Sequence, residues 1–133
     1  MSAPILFDDF VPGARMGETH MVYRAEFASQ WERIFGAPSG DADRAAEGAS
    51  IATVMMMRAY MAVVSPRPPG NMHARQQIVL DGVPRLNEEV RTEVSCAAKE
   101  IRRDRRYVEL LVDATGDGGR AIYRGRMTLI WAR

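Results

Sequence analysis

The stretch Ala49-Ser50-Ile51-Ala52-Thr53-Val54-Met55-Met56-Met57-Arg58-Ala59-Tyr60-Met61-Ala62-Val63-Val64 decides how this chain folds. Its apolar residues do not form the single stripe of a surface helix. They run almost all the way round, with Thr53 and Arg58 as the interruptions, and such a helix must be enclosed on most of its circumference. A wrapping sheet, or a sheet together with a partner subunit, can do that. The segment falls short of the ~20 apolar residues of a membrane-spanning helix. Ser65-Pro66-Arg67-Pro68-Pro69-Gly70 ends it with residues that cannot continue it. Arg58 is the one charge in its middle. Buried and unpaired it would cost several kcal/mol, so it is expected to meet a carboxylate, a cavity or an interface.

Downstream of the helix the pattern changes to period two. Met72, Ala74, Gln76, Ile78 and Leu80 alternate with His73, Arg75, Gln77 and Val79, and after a Gly82-Val83-Pro84 turn Val90, Val94, Cys96 and Ala98 alternate with charged residues. A turn near Arg103-Asp104 leads to a strand over 107–114. Gly116-Asp117-Gly118-Gly119 then marks a hairpin before a last strand over 121–131. Upstream, Leu6-Phe7-Asp8-Asp9-Phe10-Val11-Pro12-Gly13 reads as an arm laid across the core. Thr19 to Phe27 alternates as a half-buried strand, and Ser29-Gln30-Trp31-Glu32 has the spacing of a capping box that opens a short helix ending at Gly36. Residues 36–48 form an irregular loop, and the long helix is expected to begin at Ala49.

The sum is an α+β chain in one domain, residues 1–133, with one long helix clasped by a curved antiparallel sheet. Lys and Arg number 18 against 17 Asp and Glu, so no global field draws a nucleic acid or an anionic membrane. A single cysteine, Cys96, permits no internal disulfide and fits a reducing cytoplasm. The two histidines, His20 and His73, lack metal-ligand spacing, so neither a metal nor a resident cofactor is expected. The opening residues lack a basic start followed by an apolar run, so no signal peptide is expected.

This arrangement resembles the hotdog fold, and the likeness extends to motifs. Leu6 to Gly13 resembles the opening of MaoC-like dehydratase domains, the family of the (R)-specific enoyl-CoA hydratases. Ala46-Glu47-Gly48 resembles the Ala-His-Gly at which their central helix starts. Gly82-Val83-Pro84-Arg85-Leu86-Asn87-Glu88-Glu89-Val90 is similar to their Pro-x-x-x-Gly-Asp turn, and Thr115 to Gly119 to their final hairpin. The resemblance implies chemistry on an acyl-CoA or acyl-carrier thioester, hydration or dehydration of an enoyl group, and a homodimer. It also implies an Asp-x4-His catalytic pair, which this chain lacks: five residues beyond Asp41 stands Ala46, and five beyond Asp43 stands Gly48. Hydratase activity of the ordinary kind is therefore expected to be weak.

Hydration of an enoyl thioester needs a base for water, an acid for C2 and donors for the enolate oxygen. Glu47, in place of the family's histidine, is the first candidate for proton transfer or nucleophilic attack. Asp41 and Asp43 are further candidates in the same segment. His73 can titrate near neutral pH and is the candidate acid. Gly48 and Ala49, at the expected helix start, are the candidate substrate-binding amides. Each also has a plainer role: helix-dipole complement for Glu47, turn formation for the aspartates, a surface position for His73, and close packing for Gly48. The cluster Arg102, Arg103, Arg105 and Arg106 could meet the phosphates of coenzyme A. Three functions stay open: a divergent hydratase or dehydratase, a thioesterase using a carboxylate, and a non-catalytic subunit binding an acyl thioester.

Overall fold

The computed structural model describes residues 2–133. Strand β1 (Arg15–Val22) is followed by helix α1 (Ala25–Phe35) and the long helix α2 (Asp41–Val63). Strands β2 (Met72–Leu80), β3 (Glu89–Arg102), β4 (Arg105–Thr115) and β5 (Ala121–Trp131) complete the chain. They form one antiparallel sheet in the order β1-β3-β4-β5-β2, which leaves β1 and β2 as its edges. This is the hotdog architecture expected from the sequence. Among the described residues, no helix is long and apolar enough to cross a membrane.

The core lies between the sheet and one side of α2. Ile51, Ala52, Met55, Met56, Ala59 and Tyr60 of the helix are buried against alternate residues of β3, β4 and β5, among them Val94, Leu110, Val112, Met127 and Leu129. The helix comes close because Gly125 offers no side chain where Met56 Sδ sits. At the far end the N-terminal arm closes the core. Phe10 meets the Trp131 ring edge-on at 4.9 Å, and the Trp131 indole donates to Ile5 O at 2.8 Å. Thr92 and Tyr123 share a buried 2.7 Å hydrogen bond beneath the helix, and burial pushes the Tyr123 phenol up to about 12.

Three sequence expectations are corrected. The first strand stops at Val22, and α1 already begins at Ala25 with Arg24 as its N-cap, so Ser29 lies inside the helix and caps nothing. Tyr23 and Phe27 explain the misreading, because a spacing of four fits both a strand face and a helix turn; their rings pack edge-on at 6.1 Å. The long helix begins at Asp41, eight residues before Ala49. Asp-Ala-Asp-Arg-Ala-Ala-Glu is rich in helix formers, and Asp43 accepts from both the amide (3.1 Å) and the hydroxyl (2.6 Å) of Ser39, which fixes the first turn. Finally, Arg58 is not buried: its guanidinium lies in solvent over the Phe27 ring, 4.8 Å from the centroid.

The opposite side of α2 stays open in the single chain. Met61 is 52% exposed, and on the neighbouring β2 edge Met72 and Val79 are 60% and 50% exposed. The helix apolar all round is thus covered by its own sheet on one side only.

Candidate functional site

Helix α1 stands against the N-terminal half of α2 without burying any of its own residues. Between them lies an open cavity of about 490 Å³ lined by Trp31, Phe35, Pro38, Ala46, Glu47 and Ser50. The Gly36 turn, at φ 89°, swings the chain from one helix to the other and forms part of the rim. Trp31 and Phe35, one helical turn apart with ring centroids at 4.5 Å, form an apolar wall.

Of the two carboxyls that line this cavity, Glu47 is the one whose pKa is raised. Partial burial and then the nearby Glu32 carboxylate push its carboxyl above the ordinary glutamate range, against a smaller opposing pull from Arg44. That is how a carboxyl is poised for proton transfer nearer neutral pH. Asp43 also borders the cavity, but the Ser39 hydroxyl and amide hold its carboxyl below the usual range, so it serves as a first-turn carboxylate that ties the preceding loop to the helix. Asp41 is exposed in the first turn and complements the helix dipole. The structure gathers Glu47 and Asp43 at one cavity and leaves Asp41 on its outer side.

Gly48 and Ala49 do not open the helix. They lie in its third turn, where each amide is committed to a carbonyl four residues earlier, so the free-amide oxyanion site expected there has no structural basis. Gly48 serves close packing instead: a Cβ built on it would sit 3.0 Å from Val83. His73 is exposed at the start of β2, near the other end of α2, with its ring edge toward Tyr60 at 6.3 Å. His20 pairs with Glu89 across β1 and β3 at 2.8 Å.

Sequence reasoning missed Glu88. It is 2% exposed, accepts from the amides of Arg85 (2.9 Å) and Asp117 (3.0 Å), and pairs with Arg120. Burial pushes its carboxyl up, but these donors outweigh burial and hold it below the ordinary range. It ties the loop that carries Val83, and hence the packing against Gly48, to the 116–120 hairpin. Its signal was the turn itself, in which Asn87 takes the positive φ of 67°. The arginines around Asp104 form the β3–β4 hairpin tip; Arg102 stacks on Tyr107, 4.5 Å from its centroid, and Arg103 and Asp104 both adopt positive φ.

Comparison with solved structures places this fold among MaoC-like dehydratases and (R)-hydratases. The chain is similar to a MaoC-like dehydratase from Rhodospirillum rubrum (TM-score 0.69, 17% identity, 97% of this chain and 98% of that one). It is also similar to an (R)-hydratase from A. caviae involved in PHA biosynthesis (TM-score 0.65, 15% identity, 90% and 96%). A third likeness is to the HadBC complex, a 3R-hydroxyacyl-ACP dehydratase from Mycobacterium tuberculosis (TM-score 0.65, 12% identity, 87% and 92%). No family model and no curated protein sequence matches the chain.

Proposed function

We propose that this protein binds an acyl-CoA or acyl-carrier thioester in the cavity between α1 and α2 and acts there as a divergent enoyl-thioester hydratase or dehydratase with Glu47 as its single acid-base group. The observation that carries the reading is a carboxyl with a raised pKa on the wall of an apolar cavity. One carboxylate suffices in principle. It takes a proton from water as the water oxygen bonds C3, the C2–C3 π electrons move onto the thioester oxygen, and the resulting carboxylic acid returns that proton to C2 on the same face. Helix amides do not serve the enolate here, and among the lining side chains the N–H donor is the Trp31 indole. Turnover is therefore expected below the roughly 10 per second of a median enzyme.

The reading includes a homodimer formed through β2. Both its sheet edge and the adjoining side of α2 are unpartnered and carry exposed Met61, Met72 and Val79. Antiparallel self-pairing with Gln76 on the two-fold axis uses the whole strand. It sets Met72 opposite Leu80 of the partner subunit and Arg75 opposite Gln77 of the partner subunit, so no like charges face each other. An axis at Arg75 would oppose two guanidinium groups. The alternative of a subunit that supports a different hotdog chain is favoured by the likeness to a named complex such as HadBC. Thioester hydrolysis, with Glu47 activating water against the carbonyl, is the remaining alternative.

A panel of enoyl-CoA and acyl-CoA esters, followed in parallel for loss of the conjugated double bond and release of thiol, separates them. Loss of the double bond supports the hydro-lyase reading. Thiol release alone replaces it with hydrolysis, and silence in both channels replaces it with the non-catalytic subunit.

A further inference from the structure

The β3–β4 hairpin carries features that destabilise the fold without serving it. Residues 99–106 hold five Lys and Arg against two acidic residues, in a chain whose formal charge is +1. Arg102 and Arg105 stand directly opposite each other across the two strands, so two guanidinium groups share one face of the ribbon. Arg103 takes φ 52° in the turn, a left-handed conformation that glycine or asparagine occupies with less strain. Glu100 reaches Arg102 at 3.5 Å, and Lys99 donates to Phe7 O at 3.1 Å. Arg103, Arg105 and Arg106 have no carboxylate partner among the described residues.

The same hairpin has an open backbone edge. Strand β1 pairs with β3 only as far as Ser95, and the N-terminal arm adds one residue: the Gly13 amide donates to Cys96 O at 2.8 Å and the Cys96 amide to Ala14 O at 2.9 Å. Beyond it no strand follows. The two-residue turn makes Arg102 and Arg105 the hydrogen-bonded pair, so alternation turns the backbone of Lys99 and Ile101 away from β4 and toward the open edge. Ile101 is 65% exposed there. This edge lies on the β1 side of the sheet, away from β2.

Outward amides and carbonyls, free cations and an exposed apolar side chain together fit an added strand from an acidic chain. A nucleic acid backbone offers nothing apolar to Ile101, and an anionic bilayer would meet Asp104 at the turn with like charge. A strand that alternates carboxylate and apolar residues matches both faces of the ribbon, Arg102 and Arg105 on one and Ile101 on the other. We propose that the open edge of β3 at Lys99 to Arg102 receives an extended acidic segment of a partner protein as an added strand. Its backbone pairs with Lys99 and Ile101, its carboxylates meet Arg102, Arg103 and Arg105, and its apolar face covers Ile101. The site does not depend on the function proposed for the Glu47 cavity.

The test is fluorescence anisotropy with the intact protein at low salt and a labelled Glu-Val-Glu-Val-Glu-Val-Glu peptide. It is expected to bind with a Kd below about 100 μM and to weaken as salt is added. A Lys-Val counterpart and a backbone N-methylated Glu-Val peptide are expected to bind at least about tenfold more weakly, because one lacks the charge and the other the pairing amides. A single-stranded oligonucleotide and phosphatidylserine vesicles are expected not to displace the peptide. Arg105→Glu turns the like-charge pair into an ion pair with Arg102, and Arg103→Gly relieves the turn. Both variants are expected to keep or raise the Tm while weakening the peptide, by about tenfold and about threefold respectively. No binding of the acidic peptide, equal binding of either control peptide, displacement by the oligonucleotide or the vesicles, full affinity in both variants, or a Tm lowered in both would each overturn the proposal.

Discussion

Glu47 and Glu88 show how differently one residue type behaves in two environments. Both feel burial, but Glu47 faces a second carboxylate whereas Glu88 faces two amides and a guanidinium, so the first is raised and the second lowered. Because the folded Glu88 pKa lies below its unfolded value, its contribution to stability is present in full above the ordinary glutamate pKa and drains away as pH falls through the folded one. Glu88→Gln is expected to cost about 1–3 kcal/mol near neutral pH, since it leaves buried donors poorly matched, and to flatten the acid limb of the stability curve. Urea unfolding of both proteins between neutral and acid pH checks this, and parallel curves would contradict it. Gly48 makes a second residue-scale case. Its role is packing against Val83, so Gly48→Ala is expected to destabilise by about 1–2 kcal/mol through overcrowding, visible as a lower Tm. The sequence pointed to Glu47 through a tripeptide likeness. It hid Glu88, because a charge in a polar turn looks like any solvated residue until the two loops it joins are brought together.

At the scale of elements, the central helix and the four strands after it were legible because each carries a long, uninterrupted period. The expected end of the helix at Val64 differs from the observed end by one residue, and β2 spans the expected Met72–Leu80. What precedes the helix was harder. Residues 41–47 alternate alanine with charge and carry no apolar stripe, so periodicity gives no helix signal there; propensity and the Ser39–Asp43 cap decide it instead. The consequence reaches the site, because an earlier start buries the Gly48 and Ala49 amides in the helix ladder. Hydrogen exchange tests that directly. The amides of Gly48 and Ala49 are expected to exchange markedly more slowly than those of Asp41 to Asp43, which have no intrahelical acceptor. Fast exchange at Gly48 and Ala49 would restore them as free donors.

On the scale of the whole molecule, an apolar-all-round helix and an unpaired strand edge on the same flank ask for one common solution. The proposed self-pairing of β2 would supply it, continuing the sheet and bringing the open sides of two α2 helices onto the same face. Gln76→Lys would set two ammonium groups against each other on the axis, so sedimentation velocity is expected to find the native protein as a dimer and this variant as a monomer. A native monomer, or an undisturbed variant dimer, would contradict the pairing. That one sheet alone would not enclose the helix was legible in its pattern; which flank stays open was not, because only the folded sheet shows that α2 is covered from one side.

The central claim is that one carboxyl, Glu47, performs the proton transfers of a thioester reaction. Its most direct test is the rate of enoyl-thioester hydration by the native protein and by Glu47→Gln, measured across pH. The native rate is expected to rise with pH through a pKa above the ordinary glutamate range, as the base ionises, and the variant to lose about 100-fold or more in kcat with KM little changed. A variant as active as the native protein, or a native rate that shows no such ionisation, would contradict the claim.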